Sequence, residues 1–234
     1  MLKIENVDIF GWEAAIRGMR NPKNSWEKSD SGICSFECTD SGCPWGCEDK
    51  DEPECCLSFH VGKSDLKLMR TLAHAGSDHG KFLRMINVAL DITAPLYWWK
   101  EFDTYKVGTV ANSCSTMHKI AAKEFTLDDF SHEHLWDGAR MNLETTISSL
   151  NVWRDAYNHP GATGDYKKQC WWQMIQTLPS SYNQKRTVQL NYEVLRNMYH
   201  ARKNHKLDEW HILCDWIETL PYFRDICLEG TETT

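Results

Sequence analysis

The sequence predicts a mixed α/β (α+β) fold in which helices flank a central sheet. Residues 88–93 alternate between larger apolar side chains and smaller or polar ones, which is the two-residue period of a half-buried strand. Residues 138–157 instead repeat apolar side chains at helical spacing. At 234 residues, the chain fits one domain over residues 1–234, with room for a substantial core.

Other elements follow from local signals along the chain. Residues 2–9 carry enough apolar side chains for a first strand, and residues 12–19 have a helix-compatible composition. Ser64 is a candidate N-cap for the helix that follows it. Further helices are expected over residues 65–75, 78–86, 187–203 and 207–220.

The composition is that of an ordinary soluble globular protein, with 41% apolar and 25% charged residues. A net charge of −7 argues against binding nucleic acid by bulk electrostatics, although a few local basic groups suffice for a small anion. No apolar run approaches the roughly 18–20 residues that a membrane-spanning helix needs, and the N-terminus lacks an apolar signal core. We therefore expect a cytoplasmic protein that binds neither nucleic acid nor membrane.

Tryptophan is frequent, with 11 residues in the chain. Two adjacent pairs, Trp98–Trp99 and Trp171–Trp172, favour core or interface mass because large aromatic side chains dominate buried area. A stacking platform for a flavin or a base is the alternative interpretation.

Residues 21–57 break the periodic pattern, and residues 32–60 are expected to form a Cys-rich insertion within the domain. Cys34/Cys38 and Cys43/Cys47 satisfy the loose pair spacing of a structural zinc site. The segment has few apolar residues, so a bound metal would explain how it folds. The candidate zinc ligands are Cys34, Cys38, Cys43 and Cys47. An iron–sulfur cluster, a redox-active thiol group and a loop of reduced thiols stay open as alternatives.

A dense polar loop follows the strand end at Ala94–Pro95. A flavin and a nucleotide bound together need donors for phosphates, amides for ring edges and a flat apolar slot. The loop offers Thr104, Lys106, Thr109, Asn112, Ser113, Ser115, Thr116, His118 and Lys119. Residues 186–205 add further Asn, Arg and His side chains on a predicted helix.

The layout of this loop resembles the signature of the flavin-dependent thymidylate synthases. Members of that family carry an Ala-Pro strand end, then Arg-His-Arg, then Ser, then Asn-Glu-x-Ser-x-Arg. Here Ala94–Pro95 leads, and Thr104-Tyr105-Lys106 stands at the Arg-His-Arg position. Residues 112–117, Asn-Ser-Cys-Ser-Thr-Met, occupy the second half after one inserted residue.

Two positions of the second half match and two differ. Asn112 and Ser115 are the family's residues, whereas Ser113 replaces its Glu and Met117 replaces its Arg. Each charged hydrogen bond is worth roughly 1.5–3 kcal/mol, so the lost Arg weakens nucleotide binding unless another group compensates. The candidates to compensate are His118, Lys119 and Arg186.

A second match to the family lies downstream. Its members carry Leu-Pro, then an Asn, a second Asn six residues later and an Arg five residues beyond. Leu178–Pro179, Asn191, Asn197 and Arg202 share this spacing. Ile175 stands where the family has another Arg. The resemblance covers about residues 65–120 and 178–215.

The resemblance implies roles by position. It places the positive charge of Arg202 near the uracil ring and Ser115 against the nucleotide, which makes these two the candidate catalytic residues. Substrate binding is implied for Asn112, Ser113, Ser115 and Arg202. Cofactor binding is implied for His79, Thr104, Lys106, Asn191 and Asn197. The family uses no Cys nucleophile, so Cys114 is interpreted as a small filler beside the site.

Three functional hypotheses follow. The resemblance implies a divergent enzyme that uses FAD and a folate to methylate a uracil-type nucleotide such as dUMP, assembled as a homotetramer with sites at subunit interfaces. The alternative is a non-catalytic nucleotide-binding protein of the same fold, of phage or mobile-element origin. A metal-dependent redox protein built around the Cys cluster is the third hypothesis.

Overall fold

The computed structural model describes residues 1–33 and 59–228. The strands are β1 (Lys3–Phe10), β2 (Gly32–Ile33), β3 (Phe59–His60), β4 (Asn87–Pro95), β5 (Val110–Ser113) and β6 (Asn183–Asn191). The α-helices are α1 (Trp12–Arg20), α2 (Lys63–His74), α3 (Leu96–Phe102), α4 (Thr116–Lys119), α5 (Asp137–Asn158), α6 (Gly164–Thr177), α7 (Tyr192–Arg202) and α8 (Asp208–Glu218). Short 3₁₀ segments cover Asn21–Lys23, Trp26–Lys28, Gly80–Met85 and Leu127–Asp129, and a π-helical turn covers Arg224–Leu228.

Four strands form a sheet in the order β1-β4-β6-β5, and β2 pairs with β3 in a separate antiparallel ribbon. Strand β4 lies inside the sheet, and its Val88, Leu90 and Ile92 are at most 1% exposed. The alternating pattern therefore predicted this strand and its buried face correctly. At the edge, β5 runs antiparallel to β6, with Ser113 opposite Arg186. The mixed α/β class predicted from the sequence is confirmed.

The chain divides into two compact units. The first comprises Met1–Val7, Ala89–Gln189 and His205–Leu213. The second comprises Asp8–Val88, Leu190–Asn204 and Cys214–Thr234. The single domain predicted over residues 1–234, with its insertion at 32–60, stays a prediction. Residues 34–58, which hold all four candidate zinc ligands, lie outside the described part of the chain.

The first unit has an aromatic core. Trp98 packs against Trp99 and against Trp210 with ring centroids 4.9 Å apart in both pairs, and all three side chains are at most 1% exposed. The interpretation of Trp98–Trp99 as residues of the hydrophobic core is therefore correct. A second cluster of this unit is built from α5, α6 and the segment between α4 and α5, with Phe130, Leu150 and Met174 among its buried members.

The second unit packs around Trp12 of α1, whose ring meets Tyr192 edge-on at 5.4 Å and Tyr222 at 5.6 Å. The Tyr192 hydroxyl donates to the Pro221 carbonyl at 2.9 Å. Burial raises the pKa of this phenol, so it stays protonated and keeps that hydrogen bond at physiological pH.

The helix predicted over residues 187–203 is wrong at its start. Residues 187–191 belong to β6, where Val188 and Leu190 are buried while Thr187 and Gln189 are exposed. This alternation has the two-residue period of a strand. It covers only four residues, which is too short to have predicted a strand from the sequence. Helix α7 begins at Tyr192.

Candidate functional site

A pocket of about 310 Å³ lies in the first unit, beside α4 and the start of β6. This volume falls at the low end of the range of about 300–1,000 Å³ for ligand pockets, so it suits one small molecule. Its polar lining consists of Thr93, Cys114, Ser115, Thr116, Lys119, Lys123, Asp128, Asp129, Asn183, Gln184 and Lys185. Its apolar and aromatic lining consists of Ile120 and Tyr182.

Backbone hydrogen bonds place the predicted nucleotide-contacting serine in this pocket. The Cys114 amide donates to the Lys185 carbonyl at 2.9 Å, which extends the pairing of β5 with β6 by one residue. Ser115 follows this extended segment and is the N-cap of α4, its Oγ accepting from the His118 amide at 3.1 Å. A serine at an N-cap satisfies an amide that the helix itself leaves without a partner.

A buried amide holds the same loop from the other side. The Nε2 of Gln184 donates to the Cys114 carbonyl at 3.0 Å, and its Oε1 accepts from Nε of Arg186 at 3.0 Å. Arg186 also donates to Asp103 at 2.7 Å, and its guanidinium lies 4.1 Å from the ring centroid of Trp99. Arg186 therefore supports the loop and does not line the pocket.

Two of the pocket's lysines are neutralised locally. Lys185 lies 3.0 Å from the Asp91 carboxylate and 3.4 Å from that of Glu5. Hydrogen bonds from Thr187, Asn6 and Lys185 lower the pKa of Asp91 to about 2, so this carboxylate stays ionised near neutral pH. Lys123 forms an ion pair with Asp129.

The pocket also contains one phenol. Burial, reinforced by the charges of Asp129 and Cys114, raises the pKa of Tyr182. The hydroxyl therefore stays protonated at neutral pH and offers a hydrogen-bond donor beside an aromatic face. Such a group can pack against a planar heterocycle.

The five predicted site residues of the first unit separate into two sets. Ser115 lines the pocket. Asn112 and Ser113 are exposed in the edge strand β5 and do not line it. Thr104 and Lys106 lie in an exposed turn after α3, where the Thr104 hydroxyl donates to the Glu101 carbonyl at 2.7 Å.

The predicted residues of the second unit lie on or near α7. Asn191 is 8% exposed and caps α7, its Oδ1 accepting from the Val194 amide at 3.1 Å. Asn197 is exposed within α7, and Arg202 is its half-buried last residue. Helix α7 has 11 residues from Tyr192 to Arg202, so its capping residue Asn191 and Arg202 are roughly 16 Å apart along the helix. His79 is exposed and directly precedes the 3₁₀ segment Gly80–Met85.

No group of three or more His, Cys, Asp or Glu side chains that could hold a metal occurs within residues 1–33 and 59–228. The candidate ligands Cys34, Cys38, Cys43 and Cys47 fall outside these ranges. The described helices include none that is both long and apolar enough to span a membrane.

Several pocket residues carried no functional signal in the sequence. Asp128 and Asp129 resemble a solvated charged segment before a helix, and Tyr182 resembles a loop aromatic. They meet Ser115 only because β5 pairs with the first half of β6. The one available clue was Leu178–Pro179, which precedes Tyr182 in the downstream match.

The fold of this chain is that of the flavin-dependent thymidylate synthases. No model of a protein family matches the sequence, and no curated protein does either. Among solved structures, the chain is similar to thymidylate synthase X (ThyX) from Helicobacter pylori with FAD and dUMP, at 14% identity and a TM-score of 0.61, covering 98% of each chain. A second structure of this Helicobacter pylori enzyme with FAD and dUMP gives a TM-score of 0.62 at 14% identity, covering 97% of this chain and 98% of the other.

A second kind of enzyme shares the fold. The UMP/dUMP methylase PolB from Streptomyces cacaoi, bound with 5-Br dUMP, matches at 12% identity and a TM-score of 0.53, covering 94% of this chain and 89% of that one. At these identities the likeness establishes a ThyX-like fold over nearly the whole chain.

Proposed function

We propose that this protein binds a pyrimidine nucleoside monophosphate such as dUMP in the pocket beside Ser115. The observation that carries the proposal is the position of Ser115. The serine that matches the family signature lines a pocket of about 310 Å³, in a fold whose solved examples hold dUMP.

The lining of the pocket suits such a ligand. Tyr182 and Ile120 supply a face for a planar base, since ring stacking and apolar contact tolerate any pyrimidine. The hydroxyls of Ser115 and Thr116 supply hydrogen-bond donors, and Lys119 supplies a positive charge. In the second unit, Arg202 is the residue proposed to place positive charge near the uracil.

We further propose FAD as the cofactor. A pocket of about 310 Å³ suits one small molecule, so the flavin lies outside it and uses other donors. His79, Thr104, Lys106 and Asn197 are exposed and can offer hydrogen bonds, and Asn191 still has its amide NH₂ because its oxygen caps α7. When bound, FAD supplies the hydride that reduces a methylene group carried over from a folate.

In this proposal the protein methylates a uracil-type nucleotide as a cytoplasmic homotetramer. Its residues contribute binding and orientation: Ser115 holds the nucleotide, and Gln184 with Arg186 holds the loop that carries Ser115. Structural zinc at Cys34, Cys38, Cys43 and Cys47 remains a separate prediction that metal analysis of the purified protein tests.

A non-catalytic nucleotide-binding protein of the same fold is the second candidate. It is favoured by Thr104-Tyr105-Lys106, which replaces the family's Arg-His-Arg and offers one permanent cation in place of two. Lysine binds phosphate as a point charge and lacks the bidentate fork of arginine. Flavin uptake separates the two candidates.

The test is calorimetric titration of the purified protein with dUMP, with and without FAD, beside its visible absorption spectrum. We expect dUMP binding that falls at least tenfold in Ser115→Ala, because a phosphate or base contact is lost. Ser148→Ala is the matched control, since this exposed serine bonds, among the residues that the structure describes, only to the Glu144 carbonyl of its own helix. Wild-type protein that binds no dUMP under either condition refutes the proposal.

A further inference from the structure

We propose that Lys119 anchors the nucleotide phosphate and that the pocket accepts one phosphate group, so that monophosphates bind in preference to di- and triphosphates. This inference rests on the proposed nucleotide site. It names a residue to replace the positive charge that this chain lacks, because Met117 stands at the position of the family's Arg.

Charge pairing singles out Lys119 among the three lysines of the pocket. Lys123 pairs with Asp129, and Lys185 pairs with Asp91 and Glu5. The Lys119 side chain is exposed, lines the pocket, and has no hydrogen bond or ion pair to any residue of the described ranges 1–33 and 59–228. Its ammonium group therefore has its donors and its charge available for a ligand.

The other two candidates to replace the missing Arg are not placed to do so. Arg186 donates hydrogen bonds to Gln184 and Asp103 and stacks on Trp99. His118 does not line the pocket. Of the three compensating residues considered from the sequence, Lys119 alone combines a cationic side chain with access to the pocket.

Two hydroxyls complete the anchor. Lysine is a point charge without directional preference, so directional hydrogen bonds to phosphate oxygens must come from neighbours. The Ser115 oxygen accepts from the His118 amide, which leaves the hydroxyl hydrogen free to donate, and Thr116 lines the same pocket. A phosphate that meets Lys119, Ser115 and Thr116 has one charged and two neutral donors.

The opposite charges in the pocket limit the ligand to one phosphate. Three lysines line the pocket against two aspartates, Asp128 and Asp129, and two of the lysines are already paired. A second or third phosphate brings further negative charge next to an exposed Asp128 carboxylate with no cation left to offset it. We therefore expect a monophosphate to bind more tightly than the corresponding triphosphate.

The experiment is calorimetric titration of the full chain with dUMP, deoxyuridine and dUTP, with FAD present throughout. The variants are Lys119→Ala and Lys119→Arg, and Lys168→Ala serves as a control for an exposed lysine outside the pocket. In wild-type protein we expect dUMP to bind on the order of tenfold to a hundredfold more tightly than deoxyuridine. In Lys119→Ala this ratio falls to within about threefold while deoxyuridine binding is unchanged. Lys119→Arg keeps most of the ratio, and Lys168→Ala keeps all of it.

The outcomes separate this inference from the proposed function. If wild-type protein binds dUMP and Lys119→Ala keeps the full preference for dUMP over deoxyuridine, Lys119 is not the anchor, although the nucleotide site stands. If dUTP binds as tightly as dUMP, the limit to one phosphate is wrong. If neither dUMP nor deoxyuridine binds wild-type protein, the nucleotide site and the anchor both fail.

In Asp128→Asn we expect dUTP to gain affinity relative to dUMP, and an unchanged ratio excludes Asp128 as the source of the discrimination.

Discussion

Arg186 donates through Nη1 to Oδ1 of Asp103 at 2.7 Å, and this contact joins the edge of the sheet to the turn after α3. The same guanidinium bonds to Gln184 and stacks on Trp99. An arginine in the candidate nucleotide region thus has a structural role.

Replacing Arg186 with Ala is expected to lower the free energy of unfolding by about 1–3 kcal/mol, because the Gln184 amide loses a charged partner and the Trp99 face loses its cation. Chemical denaturation monitored by tryptophan fluorescence measures the change. Arg140→Ala is the control, since its pair with Glu144 is about half exposed on both sides and such pairs contribute roughly 0–1 kcal/mol. Equal effects of the two substitutions contradict the structural role of Arg186.

Cys114 reports directly on occupancy of the pocket. Its side chain is exposed and lines the pocket, while Cys170, Cys214 and Cys227 are buried. We expect saturating dUMP to slow alkylation of Cys114 by iodoacetamide several-fold because the bound nucleotide covers the thiol. Peptide mapping by mass spectrometry separates Cys114 from the cysteines of residues 34–58. Alkylation at the same rate with and without bound dUMP places the nucleotide elsewhere.

The second unit depends on a buried ion pair between Arg20 and Asp65, at 2.6 Å, with side chains 4% and 0% exposed. Removing one partner of such a pair costs about 3–5 kcal/mol because the other charge is left buried. We expect Asp65→Asn to destabilise the protein by this amount at pH 7. Asp155→Asn is the control, since that carboxylate is 67% exposed and its loss costs under about 1 kcal/mol.

The Asp65 contribution depends on pH in a definite direction. Burial acts to raise the pKa of this carboxyl, but hydrogen bonds from Ser31, Ser29 and Arg20 outweigh it, and the pKa is lowered. The stabilisation is therefore fully present above the unfolded-state pKa of about 3.9 and is lost as the pH falls through the lower folded-state value. Urea denaturation should give a constant difference between wild type and Asp65→Asn from pH 7 to about pH 5, with the difference shrinking well below pH 4. A difference that shrinks between pH 7 and pH 5 contradicts the lowered pKa.

Asn191 and Asn197 match the same family pattern but differ in structural role. Asn191→Ala removes the cap of α7 and is expected to cost about 1 kcal/mol of stability. Asn197→Ala is expected to leave stability within about 0.5 kcal/mol, because the side chain is exposed, and to weaken FAD uptake if it contacts the cofactor. Thermal unfolding and flavin absorbance, measured on both variants, separate these effects. A stability loss in Asn197→Ala as large as that in Asn191→Ala removes the distinction.

Local sequence patterns determined much of the fold. The alternation in residues 88–93 predicted β4, and the periodicity in residues 138–157 predicted α5, which the structure extends to Asp137–Asn158. These elements were readable because burial on one face imposes a period of two in a strand and 3.6 in a helix. The signature from Ala94 to Met117 identified the fold for a similar reason, since its residues are neighbours along the chain.

The tertiary structure alone decided which of the basic side chains near the pocket are engaged by other residues and which are not. Arg186 and Lys119 both sit among polar residues in the sequence, and nothing local distinguishes them. Arg186 is engaged because Asp103, 83 residues away, lies within hydrogen-bond distance, whereas no described carboxylate reaches Lys119. Strand pairing brings Tyr182 and Lys185 against Ser115 across more than sixty residues of chain. Ion-pair partners and pocket walls depend on distance in space, which local periodicity does not encode.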